Sequence, residues 1–140
     1  MNTTNKYLFL TLLSGQLLLL SGNSHADTCK YKLTITNDTG IYIKVKNVIN
    51  RFNVPGLDWQ EETAQGETSV TIVGEDSMIG SRSKTFTVNT IGYSFACPKY
   101  LWKYDYSCGM TGNYTTQTTS LQVPAVQQAY NQSVTLTDCP

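Results

Sequence analysis

From Cys97 to Cys108 the chain reads C-P-K-Y-L-W-K-Y-D-Y-S-C, and its side chains alternate in character. Tyr100, Trp102, Tyr104, Tyr106 and Cys108 share one parity, whereas Lys99, Leu101, Lys103, Asp105 and Ser107 share the other. Period-two alternation marks a strand with two unlike faces. The stretch therefore predicts a strand with a row of rings on one side and charges on the other. Tyr93, Phe95 and Cys97 continue the pattern upstream.

Cysteine placement constrains how that strand is used. Cys29, Cys97, Cys108 and Cys139 are the four cysteines, and an even number in an exported chain predicts two disulfides. Zinc is disfavoured because no pair is spaced C-x-x-C and the one histidine, His25, lies in the leader described below. Run straight, residues 97–108 would span about 36 Å at roughly 3.3 Å per residue, yet a disulfide holds its Cα atoms about 5.5 Å apart. A continuous strand and a Cys97–Cys108 bond exclude one another. Local closure and adjacent terminal strands favour the nested pairing, Cys29 with Cys139 and Cys97 with Cys108, which folds the aromatic segment back near Lys103-Tyr104-Asp105. Either other pairing leaves it straight.

The first 26 residues read as a secretory signal peptide: Lys6 in a polar start, an apolar run from Tyr7 to Leu20, and Ser24-His25-Ala26 before the cut. The apolar run is short for a membrane span, and no later segment approaches the roughly 18 apolar residues that spanning requires. Leu20-Ser21-Gly22 is followed by Asn23 where a lipoprotein box needs cysteine, so no lipid anchor is expected. Residues 27–140 are then expected as a single secreted or periplasmic domain. Loss of Lys6 leaves nine basic residues against ten acidic ones, a balance that does not suggest nucleic acid.

Most of that domain reads as short strands. Cys29, Tyr31, Leu33 and Ile35 alternate with lysines and threonines, Asn37-Asp38-Thr39-Gly40 supplies turn chemistry, and Ile41, Ile43 and Val45 alternate again. The reading is an opening β-hairpin. From Asn47 to Gly66 the periodicity fades, predicting a long loop with at most one short strand. Thr68 to Val73, Lys84 to Asn89, Tyr114 to Val123 and Ser133 to Cys139 read as further strands, and Pro124 to Tyr130 as a short helical turn. The expected class is all-β: an antiparallel sandwich, or a small barrel, with two disulfides. Asn37, Asn113 and Asn131 each begin a glycosylation triplet.

Much catalytic chemistry is excluded. Without a histidine in the mature chain there is no Ser-His-Asp or Cys-His arrangement, oxidised cysteines are not nucleophiles, and no phosphate-cradling glycine motif is present. A carboxylate pair is the remaining route, from Asp58, Glu61, Glu62, Glu67, Glu75 and Asp76. These read more simply as solvated loop charges, and the D-x-D-x-D-G calcium pattern is missing. No enzyme, cofactor or metal is expected. Tyr100, Trp102, Tyr104 and Tyr106, with Lys103, form the candidate ligand-binding set, since phenol and indole edges suit a sugar face or a headgroup boundary. Plain core is the competing use of such rings. Trp59 is a second, isolated candidate.

Several motifs in order resemble the aegerolysins: Leu33-Thr34-Ile35-Thr36-Asn37 leading to Lys44-Val45-Lys46-Asn47, Gly66-Glu67-Thr68 before Val70 to Val73, then Phe86 and Cys97-Pro98 followed by aromatics. Asn50-Arg51-Phe52 stands where that family shows tryptophan-glycine, and that family generally lacks such cysteines. The resemblance implies a small β-sandwich that binds membrane lipid, often beside a pore-forming partner. The expected function is a secreted, non-enzymatic module that engages a cell-surface lipid or glycan; a protein-binding inhibitor or envelope interaction protein is the alternative.

Overall fold

The computed structural model describes residues 28–64, 69–91, 97–124 and 129–139. Eight strands and no helix appear among them: β1 (Thr28–Asn37), β2 (Ile43–Asn53), β3 (Trp59–Thr63), β4 (Ser69–Ile72), β5 (Ser83–Ile91), β6 (Lys99–Cys108), β7 (Thr115–Thr118) and β8 (Ala129–Leu136). They form two sheets. The smaller has the order β5-β1-β8, with β1 antiparallel to β5 and parallel to β8. The larger has the order β3-β2-β6-β7, and β4 pairs with the other half of β2. Inward side chains of both sheets fill one core, including Tyr31, Leu33 and Ile35 from β1, Phe86 and Val88 from β5, and Tyr100, Trp102 and Tyr104 from β6. This is the expected all-β sandwich.

The expected opening hairpin is not formed, because β1 and β2 belong to opposite sheets. In a hairpin the residues flanking the turn would pair with each other. Here the Asn37 amide donates to the Arg82 carbonyl and the Asp38 amide to the Leu136 carbonyl, so the turn is tied to its own sheet. The fully buried Asn37 side chain shapes the crossing. Its Nδ2 donates to the carbonyls of Ile41 (2.8 Å) and Ile72 (3.0 Å), while its Oδ1 accepts from the Thr39 amide (3.0 Å) and hydroxyl (2.7 Å). The result is an arch between layers. A Cβ at Gly74 would lie 2.8 Å from Ile41 N and O and from Thr39 O, so only glycine lets the chain after β4 cross the arch this closely.

The expected long loop after Asn47 is also replaced by structure. β2 continues to Asn53 and forms a hairpin with β3. What hides it is a bulge: the register to β6 shifts between Lys46 and Ile49, and Asn47 takes a φ of 51°. Ile43 and Val45 point inward before the bulge, Val48, Asn50 and Phe52 after it. One extra residue reverses the parity, so a period-two reading stops there. Asparagine suits the site because it tolerates a left-handed backbone.

Both disulfides differ from the nested expectation. Cys29 bonds Cys97 and Cys108 bonds Cys139. β6 is continuous from Lys99 to Cys108, which rules out closing Cys97 onto Cys108. Ala129 and Tyr130, expected in a helical turn, begin β8; the rest of that turn, 125–128, and Tyr93 and Phe95 lie outside the described residues.

Candidate binding surface at the loop end

The aromatic row faces the core. Tyr100, Trp102, Tyr104 and Tyr106 are 2, 0, 2 and 6 % exposed, which removes them as a direct contact surface. The smaller sheet presents Tyr31, Leu33 and Ile35 toward β6, and burying that apolar face requires large side chains opposite. Tyr31 and Tyr100 meet across the layers with ring centroids 4.3 Å apart. The Tyr31 hydroxyl donates to the Pro98 carbonyl at 2.8 Å and that of Tyr106 to the Asp138 carbonyl at 3.5 Å. Burial, reinforced by neighbouring phenols, raises the Tyr31 and Tyr100 pKa values and pushes Tyr104 up to about 12. Lys103, the fifth predicted member, is exposed on the opposite face of β6. The predicted set is therefore split by the sheet.

The carboxylates do not converge either. Glu61 pairs with Arg51 at 2.8 Å, and Glu62 follows it on β3 with opposite parity. Glu75 and Asp76 lie between β4 and β5, whereas Asp58 precedes β3. Glu67 lies outside the described residues, and no metal-holding cluster occurs among those described. Asn37, the first glycosylation triplet, is buried and fully engaged.

Large apolar side chains are exposed on several loops, Val123 (66 %), Leu57 (58 %) and Leu121 (48 %) among them, and one further group of four lies close together. Met78, Met110, Ile79 and Ile41 are 100, 93, 85 and 49 % exposed. They belong to three connections, the β1–β2 arch, the β4–β5 loop and the β6–β7 turn, which gather at one end of the sandwich. A cleft of about 520 Å³ lies among them, lined by Gly40, Ile41, Val73, Asp76, Ser77 and Met110, among others. Alternation-based reading passes over Met78, Ile79 and Met110 because they lie in polar loops without a period, and it places Ile41 in a strand.

Part of the β4–β5 loop's backbone is paired, within the loop and to the β1–β2 arch. Val73 N donates to Ser81 O, Ser77 N to Gly74 O and Glu75 N to Thr39 O. At the apex, the Ser77 hydroxyl donates to the Ile79 carbonyl (2.8 Å) and accepts from the Ile79 amide (3.4 Å). Met78 therefore stands on a tip whose polar groups are partly internally paired. At the base, Asp38 is held by Arg82 at 2.6 Å. The Cys108–Cys139 bond fixes the residue from which Gly109 and Met110 depart.

No family model, curated protein or solved structure matches the chain. No helix among the described residues is long and apolar enough to cross a membrane.

Proposed function

We propose that the protein is an exported, non-enzymatic binding module that docks on a lipid bilayer through its loop end. The observation that carries this reading is the exposure of Met78, Ile79, Met110 and Ile41 on three loops of one end. Transfer of a large apolar side chain from water is worth roughly 1.5–3 kcal/mol. A few such residues suffice for reversible attachment once the costs of association are subtracted. A segment entering the acyl boundary must bring its backbone polar groups already paired, and the hydrogen bonds of Ser77 supply part of that pairing at the most exposed tip. Exposed Glu75 and Asp76 flank the tip and favour net-neutral headgroups over anionic ones.

The leader-like first 26 residues and the two disulfides support export to an oxidising compartment. The motif resemblance to aegerolysins points toward the same class of target. Flotation of the mature protein with phosphatidylcholine vesicles tests the reading: co-flotation is expected, and its abolition by Met78→Asp with Met110→Asp. Recovery of all protein in the soluble fraction, or undiminished flotation of the double variant, contradicts it. Capture of one stoichiometric protein partner in place of lipid would favour an envelope interaction role.

A further inference from the structure

We propose that the outer face of the larger sheet is a second, separate site, which binds an acidic polysaccharide. Lys44, Lys46 and Arg51 on β2 and Lys99 and Lys103 on β6 all have the parity opposite to the buried residues of their strands. Register confirms the common face: Lys44 pairs with Ser107, Lys46 with Asp105, Lys103 with Ile49, Arg51 with Leu101 and Lys99 with Asn53. Among the described residues of this face, two carboxylates answer those five cations, and both are engaged. Glu61 holds Arg51. Asp105 accepts from the Thr116 hydroxyl and from Asn47 Nδ2, each at 2.7 Å, bonds that hold its carboxyl below the usual range with help from Lys46 and Lys103, so it stays an anion on this face and the cations remain in excess. A chain with nearly balanced charge thus carries a locally cationic sheet.

Geometry favours a sugar polymer over a membrane on this face. It is a strand surface whose aliphatic members, Ile49 and Leu101, are half-buried, so no aliphatic side chain protrudes to insert. At one corner stands Trp59, on the edge strand β3, 39 % exposed and paired in register with Asn53. The Arg51 guanidinium lies 5.8 Å from the Trp59 ring centroid. An indole offers its face to the C–H side of a pyranose; because Arg51 is already held by Glu61, the ligand's carboxylates fall to the exposed ammonium groups of Lys99 and Lys103. Lys46 is set over the Tyr114 ring, its ammonium 3.6 Å from the centroid. Successive strands lie about 4.8 Å apart and alternate residues about 6.6 Å apart, so a polymer bearing a carboxylate on each sugar meets cations along its length. Such contacts on an exposed face weaken as salt rises.

The test uses the mature protein with polygalacturonate, with neutral dextran as control. Trp102 is buried and Trp59 is not, so acrylamide quenching reports Trp59. Polygalacturonate is expected to shield Trp59 and dextran is not, with affinity falling at least tenfold between 50 and 300 mM salt. Lys99→Gln with Lys103→Gln should lower affinity at least tenfold, and Lys30→Gln with Lys32→Gln, on the other sheet, less than twofold. Met78→Asp with Met110→Asp should leave it unchanged, which separates this site from the lipid reading. No binding, equal losses in both lysine pairs, or binding only to phosphatidylglycerol vesicles would overturn the proposal.

Discussion

Cys97 and Cys108 bracket β6, and each is bonded to a residue of the facing sheet or its flank instead of to the other. Cys97 reaches Cys29 on β1 at one end of the sandwich; Cys108 reaches Cys139, just after β8, at the other. The aromatic strand is thus pinned at both ends to the layer it packs against. That arrangement keeps the core strand and the loop that carries Met110 in a fixed relation.

Disulfide removal should therefore be costly at both ends. The closed loops span separations of 68 and 31 residues, so chain entropy assigns about 4 kcal/mol to each bond, slightly more to the first. Cys29→Ser with Cys97→Ser, and Cys108→Ser with Cys139→Ser, should each lower the denaturation midpoint by a corresponding amount. Equilibrium urea unfolding under non-reducing conditions measures both.

Trp102→Ala should cost about 3–5 kcal/mol, because the side chain is wholly enclosed and its removal leaves a cavity. The folded fraction should still float with phosphatidylcholine vesicles, since the indole contacts nothing outside the protein. A thermal melt beside a flotation assay separates the two effects.

Asn37→Ala removes both the donor and the acceptor that hold the arch. It leaves the carbonyl of Ile72 and the amide of Thr39 without their side-chain partner, at about 1–3 kcal/mol for each buried group left unpaired. A loss of roughly 2–4 kcal/mol is expected in urea unfolding. A neutral substitution would show that the crossing does not depend on this side chain.

Alkaline pH should unfold the protein cooperatively. The folded pKa values of Tyr31, Tyr100 and Tyr104 lie above the ordinary phenol value of 10.0, chiefly through burial. Raised folded values mean that the unfolded chain loses these protons first. Stability is therefore complete below pH 10 and falls as pH rises toward the folded values, by up to about 1.4 kcal/mol per pH unit for each phenol. Absorbance at 295 nm against pH should show these three phenols ionising together with the loss of near-ultraviolet circular dichroism.

The strands were legible wherever alternation ran unbroken, as in β1, β5 and β6. Two local devices concealed the rest. The bulge at Asn47 reverses the parity of β2, so the second half of a strand of eleven residues looks like the start of a loop. Asn-Asp-Thr-Gly has the chemistry of a hairpin turn, and only the long-range bonds from Asn37 to Ile72 and Asp38 to Leu136 make it an arch. The rings of β6 posed a different difficulty. Alternation shows that they share a face, but which face is buried depends on the sheet opposite, and tyrosine and tryptophan serve both uses. Lys103 differs from the rings grouped with it: its parity places it on the other face, where it is exposed. Met78, Ile79 and Met110 carry no period and became visible only as exposed tips of loops that share one end.

Insertion of the β4–β5 tip is the central claim, and a tryptophan placed there measures it. The native indoles give an internal control: Trp102 is enclosed in the core, and Trp59 lies on β3, outside the loop end. With phosphatidylcholine vesicles carrying brominated acyl chains, Met78→Trp should shift to shorter emission wavelength and be strongly quenched, while the parent protein is quenched little. Equal quenching of parent and variant, or an unshifted and unquenched Met78→Trp, would contradict the account.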